Sequence, residues 1–235
     1  MIDLAIVVEG PTEERFVQRV LAPALWVRGI TAWPVLPGEG EHRRGGARPW
    51  GAIRRDVLKL LLHRTDRSCA ILFDYYALPS GWPGRADAAS GLIDERGTCV
   101  ENAVHADIVA LLGSSFPGAR FIPHIQLHEY EARLFSDCGV LAGVLGIDAA
   151  PLHKIVQECG SPERIDDGLQ TAPSKRLDAL CRTGVHRGYR KTTDGVIAAE
   201  RITLEKMRAE CPHFARWLAR IEGIGAEPDR AGTGT

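Results

Sequence analysis

No apolar run in this chain approaches the ~20 residues that cross a bilayer as a helix, so a membrane span is not expected. The first residues lack a basic segment and carry an acid at position 3, so they do not read as a secretory signal. Cys-x-x-Cys is also missing. The six cysteines are scattered, and reduced, mostly buried thiols in a cytoplasmic protein are expected. There is no excess of one charge: the net value is −1, so nucleic acid would have to be held by local patches. No P-loop and no G-x-G-x-x-G follows a strand, which leaves nucleotide-cofactor enzymology without support. No internal repeat or low-complexity linker divides the chain. What remains is an ordinary globular composition over 235 residues, 45% hydrophobic and 25% charged, enough for one large domain or two small ones.

The stretch that organises the rest is MIDLAIVVEGPTEERF. Leu4 to Val8 is continuously apolar and suits a strand buried on both faces of a parallel sheet. It stops at Glu9. Gly10-Pro11 then forces a turn, Thr12 is an expected N-cap, and Glu13-Glu14 suit the first helical turn. Glu9 is thereby placed at the carboxyl end of a strand, the edge where open α/β sheets bind ligands. Cys69 to Phe73 repeats the pattern and ends at Asp74. Two strands ending in acids can coordinate a hard cation.

Glu-Gly-x-x-Glu after a first strand, with Asp at the end of a later one, resembles the Toprim domain of topoisomerases, primases and overcoming-lysogenization-defect nucleases. More narrowly, the chain resembles the bacterial DUF4276 family of Toprim-like proteins. The resemblance is carried by VVEGPTEERFV, LFDYYALPSGWPG, QLHEYEARLFSD, the segment from Ser174-Lys175-Arg176 to Lys191-Thr192-Thr193-Asp194-Gly195, and CPHFARWL, from Val7 to Leu218. It implies an α/β fold, Toprim-like, with a mainly parallel sheet flanked by helices and a helical C-terminal half. It also implies a magnesium or manganese (Mg2+ or Mn2+) site and, from similar proteins, a partner ATPase and a role in phage defence. One departure stands out: the Toprim pattern has Asp-x-Asp, and the second aspartate position is Tyr76.

Along the chain, Thr12 to Arg28 carries a helical apolar stripe, with Pro23 expected to kink or divide it. Ile30 to Leu36 reads as a second strand. The loop Gly38 to Pro49 holds His42, Arg43, Arg44 and Arg48 among glycines. It is either a solvated turn or a phosphate contact on the edge that carries Glu9. Trp50 to His63 is an amphipathic helix. The turn-rich segment after Asp74 has Tyr75, Tyr76 and Trp82, which either stack on unpaired bases or pack the loop down. Cys99 to Leu112 reads as a helix and Arg120 to Ile125 as a strand. Acids again follow that strand, so Glu129 or Glu131 offers the missing metal ligand, or simply sits at a helix start.

His128 is a candidate general acid or phosphate contact. His124 and His128 are four apart, a zinc spacing on a helix. Pro123 places His124 in a strand instead, and no cysteine or third histidine stands at ligand spacing, so zinc is set aside. Five helices are expected beyond Asp137: Val140 to Leu145, Leu152 to Cys159, Pro173 to Cys181, Val196 to Met207 and Pro212 to Ile221. Lys175, Arg176, Arg190 and Lys191 are phosphate contacts or plain surface charge. The expected division is an α/β domain over 1–136, a helical subdomain or cap over 137–222, and a disordered tail over 223–235.

These residues point to a Mg2+- or Mn2+-dependent nuclease hydrolysing phosphodiester bonds in DNA or RNA. Glu9, Asp74 and His128 are its expected catalytic residues, and Glu9, Glu13, Asp74, Glu129 and Glu131 its metal ligands. The rival expectation is a non-catalytic module that binds nucleic acid or a partner protein. A phosphatase or small-nucleotide hydrolase on the same edge and self-association both stay open.

Overall fold

A computed structural model of the protein describes residues 1–38, 46, 48–166, 168 and 170–224. Its centre is a four-stranded, all-parallel sheet in the order β2-β1-β3-β4. The strands are β1 (Ile2–Val8), β2 (Ile30–Val35), β3 (Arg67–Asp74) and β4 (Phe121–Gln126). Side chains alternate across the sheet as period two requires. Leu4, Ile6 and Val8 of β1 face one core, with Ala70 and Leu72 of β3 and Ile122 of β4. Val7, Ile71, Phe73 and Ile125 face the other. Both faces are buried, which is why β1 and β3 read as unbroken apolar runs.

The second core is closed by α3 (Trp50–His63) and α5 (Ile93–Leu112), with the short α4 (Arg85–Ser90) beside α5. The first core is closed from two sources. One is the helix after β1, made of α1 (Pro11–Phe16), a π-helical segment Val17–Leu21 and α2 (Ala22–Trp26). The π-helical turns lie just ahead of Pro23. Its ring would clash with the carbonyl of Arg19 in a regular helix, and widening the turn relieves that. The other source is the C-terminal half: α6 (Cys138–Leu145), α7 (Ala150–Cys159), α8 (Pro173–Val185), α9 (Val196–Ile202), α10 (Leu204–Glu210) and α11 (Pro212–Glu222). Leu141, Leu152, Leu177, Phe214, Trp217 and Ile221 from these helices share one buried cluster with β1. The helical C-terminal half is therefore the cover of one sheet face.

Three local expectations change. Gly10, with extended φ −157°, is the cap of α1, and Pro11 opens the helix, so Thr12 lies inside it. Proline's fixed φ and missing N–H suit that first position. The expected helix over Val196 to Met207 is two helices. Thr203 breaks it at φ 69°, and its hydroxyl accepts from the Lys206 N–H at 3.5 Å to start α10. α5 begins at Ile93, before Cys99, with Asp94 and Glu95 in its first turn where the dipole favours acids. Gly97 sits inside α5 because nothing larger fits: a Cβ there would stand 2.4 Å from the Ile125 carbonyl oxygen. The tail expected over 223–235 lies outside the described residues except Gly223 and Ile224.

Candidate active site at the sheet rim

The strand order creates a crevice. β1 leaves the sheet into α1 on one face, while β3 leads on toward α5 on the other. Adjacent parallel strands whose connections diverge leave a gap at their carboxyl ends, and ligands bind there. Glu9 and Asp74 stand at that gap. Val8 pairs with Leu72, the Glu9 N–H continues the ladder to the Leu72 carbonyl at 3.2 Å, and the Asp74 N–H donates to Glu9 Oε2 at 3.1 Å. The two acids expected to be neighbours therefore share one rim and one hydrogen bond.

A third segment joins them. After β4 the chain turns into a 3-10 helix over Tyr130–Asp137, and the Tyr130 N–H donates to Asp74 Oδ2 at 3.2 Å. That bond brings the flanking Glu129 and Glu131 to the rim. Glu129 Oε2 accepts from the Ser174 N–H at 2.9 Å, at the start of α8, where helix N–H groups lack internal partners. Glu131 is buried. Its Oε2 lies 3.2 Å from Lys191 Nζ, and its Oε1 accepts from the Tyr189 hydroxyl at 3.5 Å. Lys191 also approaches Glu129 Oε1 at 3.5 Å. Glu13, buried in the first turn of α1, adds a fifth carboxylate.

Crowding and burial act on these groups together. Burial pushes Glu9 up, only partly offset by the Asp74 N–H. Burial and then neighbouring Glu9 raise Glu13. Burial, then Glu13, Glu9 and Glu131, hold Asp74 well above the usual aspartate range. Burial pushes Glu131 up to about 7. Glu129 is the exception: burial works against its charge, but the Ser174 hydrogen bond and Lys191 outweigh it and the carboxyl sits low. Burial also opposes the Lys191 ammonium, and Glu131 and Glu129 outweigh that and hold its pKa up. Arg133 is the other nearby cation. It is 1% exposed, and its guanidinium lies 4.6 to 5.2 Å from the ring centres of Phe16, Tyr130 and Phe214. Its Nε, Nη1 and Nη2 make no hydrogen bond among the described residues. It lowers the carboxylates of Glu13 and Asp74 through space.

A hard divalent cation fits this donor set. All five candidate donors are carboxylates, and four of them have raised pKa values because burial leaves their charge poorly balanced. Among the described residues, no three rim carboxylates bring an oxygen within 4.8 Å of one another.

The remaining candidates fall around this centre. His128 is buried and lines an adjoining cavity of about 300 Å³ with Tyr75, Tyr76, Arg85 and Arg96. Tyr75 packs inward, its ring 4.0 Å from the Arg85 guanidinium carbon and its hydroxyl accepting from Arg85 at 2.7 Å. Trp82 is also packing: it lies between Trp50 and Phe73 and donates to the Arg48 carbonyl at 2.8 Å. Tyr76 is the exposed aromatic, at 59%.

Arg43 and Arg44 lie outside the described residues. Gly46, two residues after Arg44, donates its N–H to the Glu9 carbonyl at 2.9 Å. Lys175 is exposed. Arg176 bonds the Thr171 carbonyl and Asp166, and Arg190 pairs with Asp194 at 3.0 Å. Of Lys175, Arg176, Arg190 and Lys191, it is Lys191 that stands inside the acid cluster, against Glu129 and Glu131. Arg133 and Tyr189 were not anticipated as site residues. Arg133 stands two places after Glu131, and that adjacency was the signal available.

The fold and rim together define a class: a parallel α/β protein with carboxylates gathered at its topological switch point. The family model for the domain of unknown function DUF4276 matches residues 8–222, and the chain belongs to the DUF4276 family. No curated protein and no solved structure matches it.

Proposed function

We propose that the protein is a divalent-metal-dependent nuclease, hydrolysing phosphodiester bonds in DNA or RNA at the Glu9–Asp74 rim. The observation that carries this reading is the placement of both acids at the ends of adjacent parallel strands, joined by the Asp74 N–H to Glu9 Oε2 bond at 3.1 Å. Glu9 and Asp74 would hold Mg2+ or Mn2+, with Glu13 and Glu129 or Glu131 completing the shell. Such an ion supplies charge to the phosphate and a more acidic water. Glu131, with a pKa near 7, is suited to take or give a proton at neutral pH. Lys191 would exchange its carboxylate contacts for a substrate phosphate. His128, beside exposed Tyr76, would orient a nucleotide entering from the neighbouring cavity. Arg48, Lys175, Arg176 and Arg190, with Arg43 and Arg44 of the rim loop, would hold the backbone. A partner ATPase and a phage-defence role belong to the same proposal and rest on the resemblance to Toprim-like proteins; a cytoplasmic location rests on the scattered, unpaired cysteines.

The test is cleavage of single-stranded and duplex DNA and RNA with Mg2+ or Mn2+. Asp74→Asn and Glu9→Gln should lower the rate at least ~100-fold, about 2.7 kcal/mol. Equal rates in the variants and the wild type would sink the assignment. A second reading, a non-catalytic module that binds nucleic acid or a partner protein, is favoured by Tyr76 in place of an acid and by Lys191 already paired with two rim carboxylates. It predicts nucleic-acid or partner binding without metal uptake.

A further inference from the structure

We propose that Glu101, His124 and His213 form a buried binding site for a zinc-class ion, separate from the carboxylate rim. The three residues come from α5, β4 and α11, and all are buried. One ligand atom from each lies within 4.8 Å of the other two. Glu101 Oε1 stands 2.9 Å from His213 Nε2 and 3.4 Å from His124 Nδ1. Donors about 2.0–2.2 Å from a tetrahedral zinc stand roughly 3.3–3.6 Å apart. The two Glu101 sides of this triangle are near that size, and the third is within 4.8 Å.

Hydrogen bonding explains part of the arrangement: burial opposes the Glu101 carboxylate, but contacts from His124 and His213 outweigh it and hold its pKa low. Glu101 Oε1 accepts the Ile125 N–H at 2.8 Å, which satisfies the free edge of β4. That role needs the glutamate and neither imidazole. His124 Nε2 is buried without a hydrogen-bond partner, while His124 Nδ1 and His213 Nε2 face the Glu101 carboxylate without good hydrogen-bond alignment. A buried polar atom left unpaired disfavours the fold unless another ligand takes it up. At 2.9 Å, His213 Nε2 is near enough to Glu101 to bond but is not aligned for it. Donors that are close yet misaligned can instead converge on a common point.

The surroundings hold the rings in place. His124 stacks on Trp217, with ring centres 5.0 Å apart, and a Cβ on Gly97 would stand 2.7 Å from His213 Cε1. His213 also lines a cavity of about 210 Å³ beside Glu163, Arg164 and Arg216, which gives an ion a way in. The two sites have different chemistry. His124 pairs with Leu72, two residues short of Asp74, yet the rim is all oxygen while this set is two nitrogens and one oxygen. A borderline ion prefers the latter and magnesium the former. Sequence spacing had argued against zinc because the third ligands lie 23 and 89 residues away from His124, at Glu101 and His213.

The test strips the full-length protein with a chelator and adds Co2+ as a spectroscopic stand-in. Wild type and Asp74→Asn should take up an equivalent giving the visible band of nitrogen-ligated cobalt, with a raised Tm. His213→Gln and Glu101→Gln should lose both while keeping their far-ultraviolet dichroism. X-ray absorption of the zinc-loaded wild type, which needs no variant, should report two imidazole nitrogens. An all-oxygen shell, no uptake by folded wild type, or an unchanged cobalt band in folded His213→Gln would overturn the site.

Discussion

At the scale of single residues, burial and charge disagree at the rim, and pH exposes the disagreement. Glu131 is buried beside Lys191, yet its pKa is pushed up to about 7. A carboxyl whose folded pKa exceeds its unfolded value takes up protons on folding. Its favourable contribution is complete below the unfolded value, about 4.5, and is lost as pH rises toward about 7. Glu9, Glu13 and Asp74 are raised as well and push the same way. Buried His124 works the other way, since burial depresses its pKa and its contribution to stability grows as pH rises toward 6.5, so the Glu131 share is read from the difference between variant and wild type. In metal-free protein Glu131→Gln should remove a loss of Tm that wild type suffers across this window, by on the order of several degrees at pH 8. A thermal melt series with and without the substitution checks this, and parallel slopes would refute the assignment to Glu131. The same residue scale shows what the sequence could reveal. Glu9 and Asp74 were legible because each ends an apolar run. Arg133, Tyr189 and the Glu101–His213 contact were not, because their partners meet only after the sheet and its cover have assembled.

At the scale of elements, strands and long helices followed their patterns, and the departures have local causes. α3 spans Trp50–His63 as its stripe implies, and β3 runs to the acid that ends its apolar run. Boundaries shifted where one residue's backbone demand outweighed the pattern: Pro11 at the start of α1, and Thr203 at positive φ between α9 and α10. α4 was missed because its six residues, RADAAS, carry too short a stripe to show a period. Gly97 tests the packing of α5 on β4. Its missing side chain leaves room for the Ile125 carbonyl and the His213 ring, so Gly97→Ala should destabilise the fold although alanine favours helices. The expected loss is ~1–3 kcal/mol in a denaturant titration. A neutral or stabilising result would mean that α5 sits farther from β4 than described.

At the scale of the whole molecule, one sheet carries two covers, and the C-terminal half is one of them. Leu4, Ile6 and Val8 are buried in a cluster with Phe214, Trp217 and Leu218, so residues 1–136 alone would expose an apolar sheet face. That fragment should aggregate or lack a cooperative melt, whereas 1–224 should melt cooperatively. The C-terminal half also completes the rim, through Ser174, Tyr189 and Lys191. The parallel α/β class was legible from two buried-strand patterns. The reach of the C-terminal half into the rim was not, since no local period records which sheet edge a loop will touch. The most direct measurement is a calorimetric Mn2+ titration of wild type, Glu9→Gln and Asp74→Asn. Saturable binding in the wild type, weakened at least ~10-fold in each variant, is the predicted result. Wild-type binding left intact by both substitutions, or no binding at millimolar metal, would contradict a metal-holding rim.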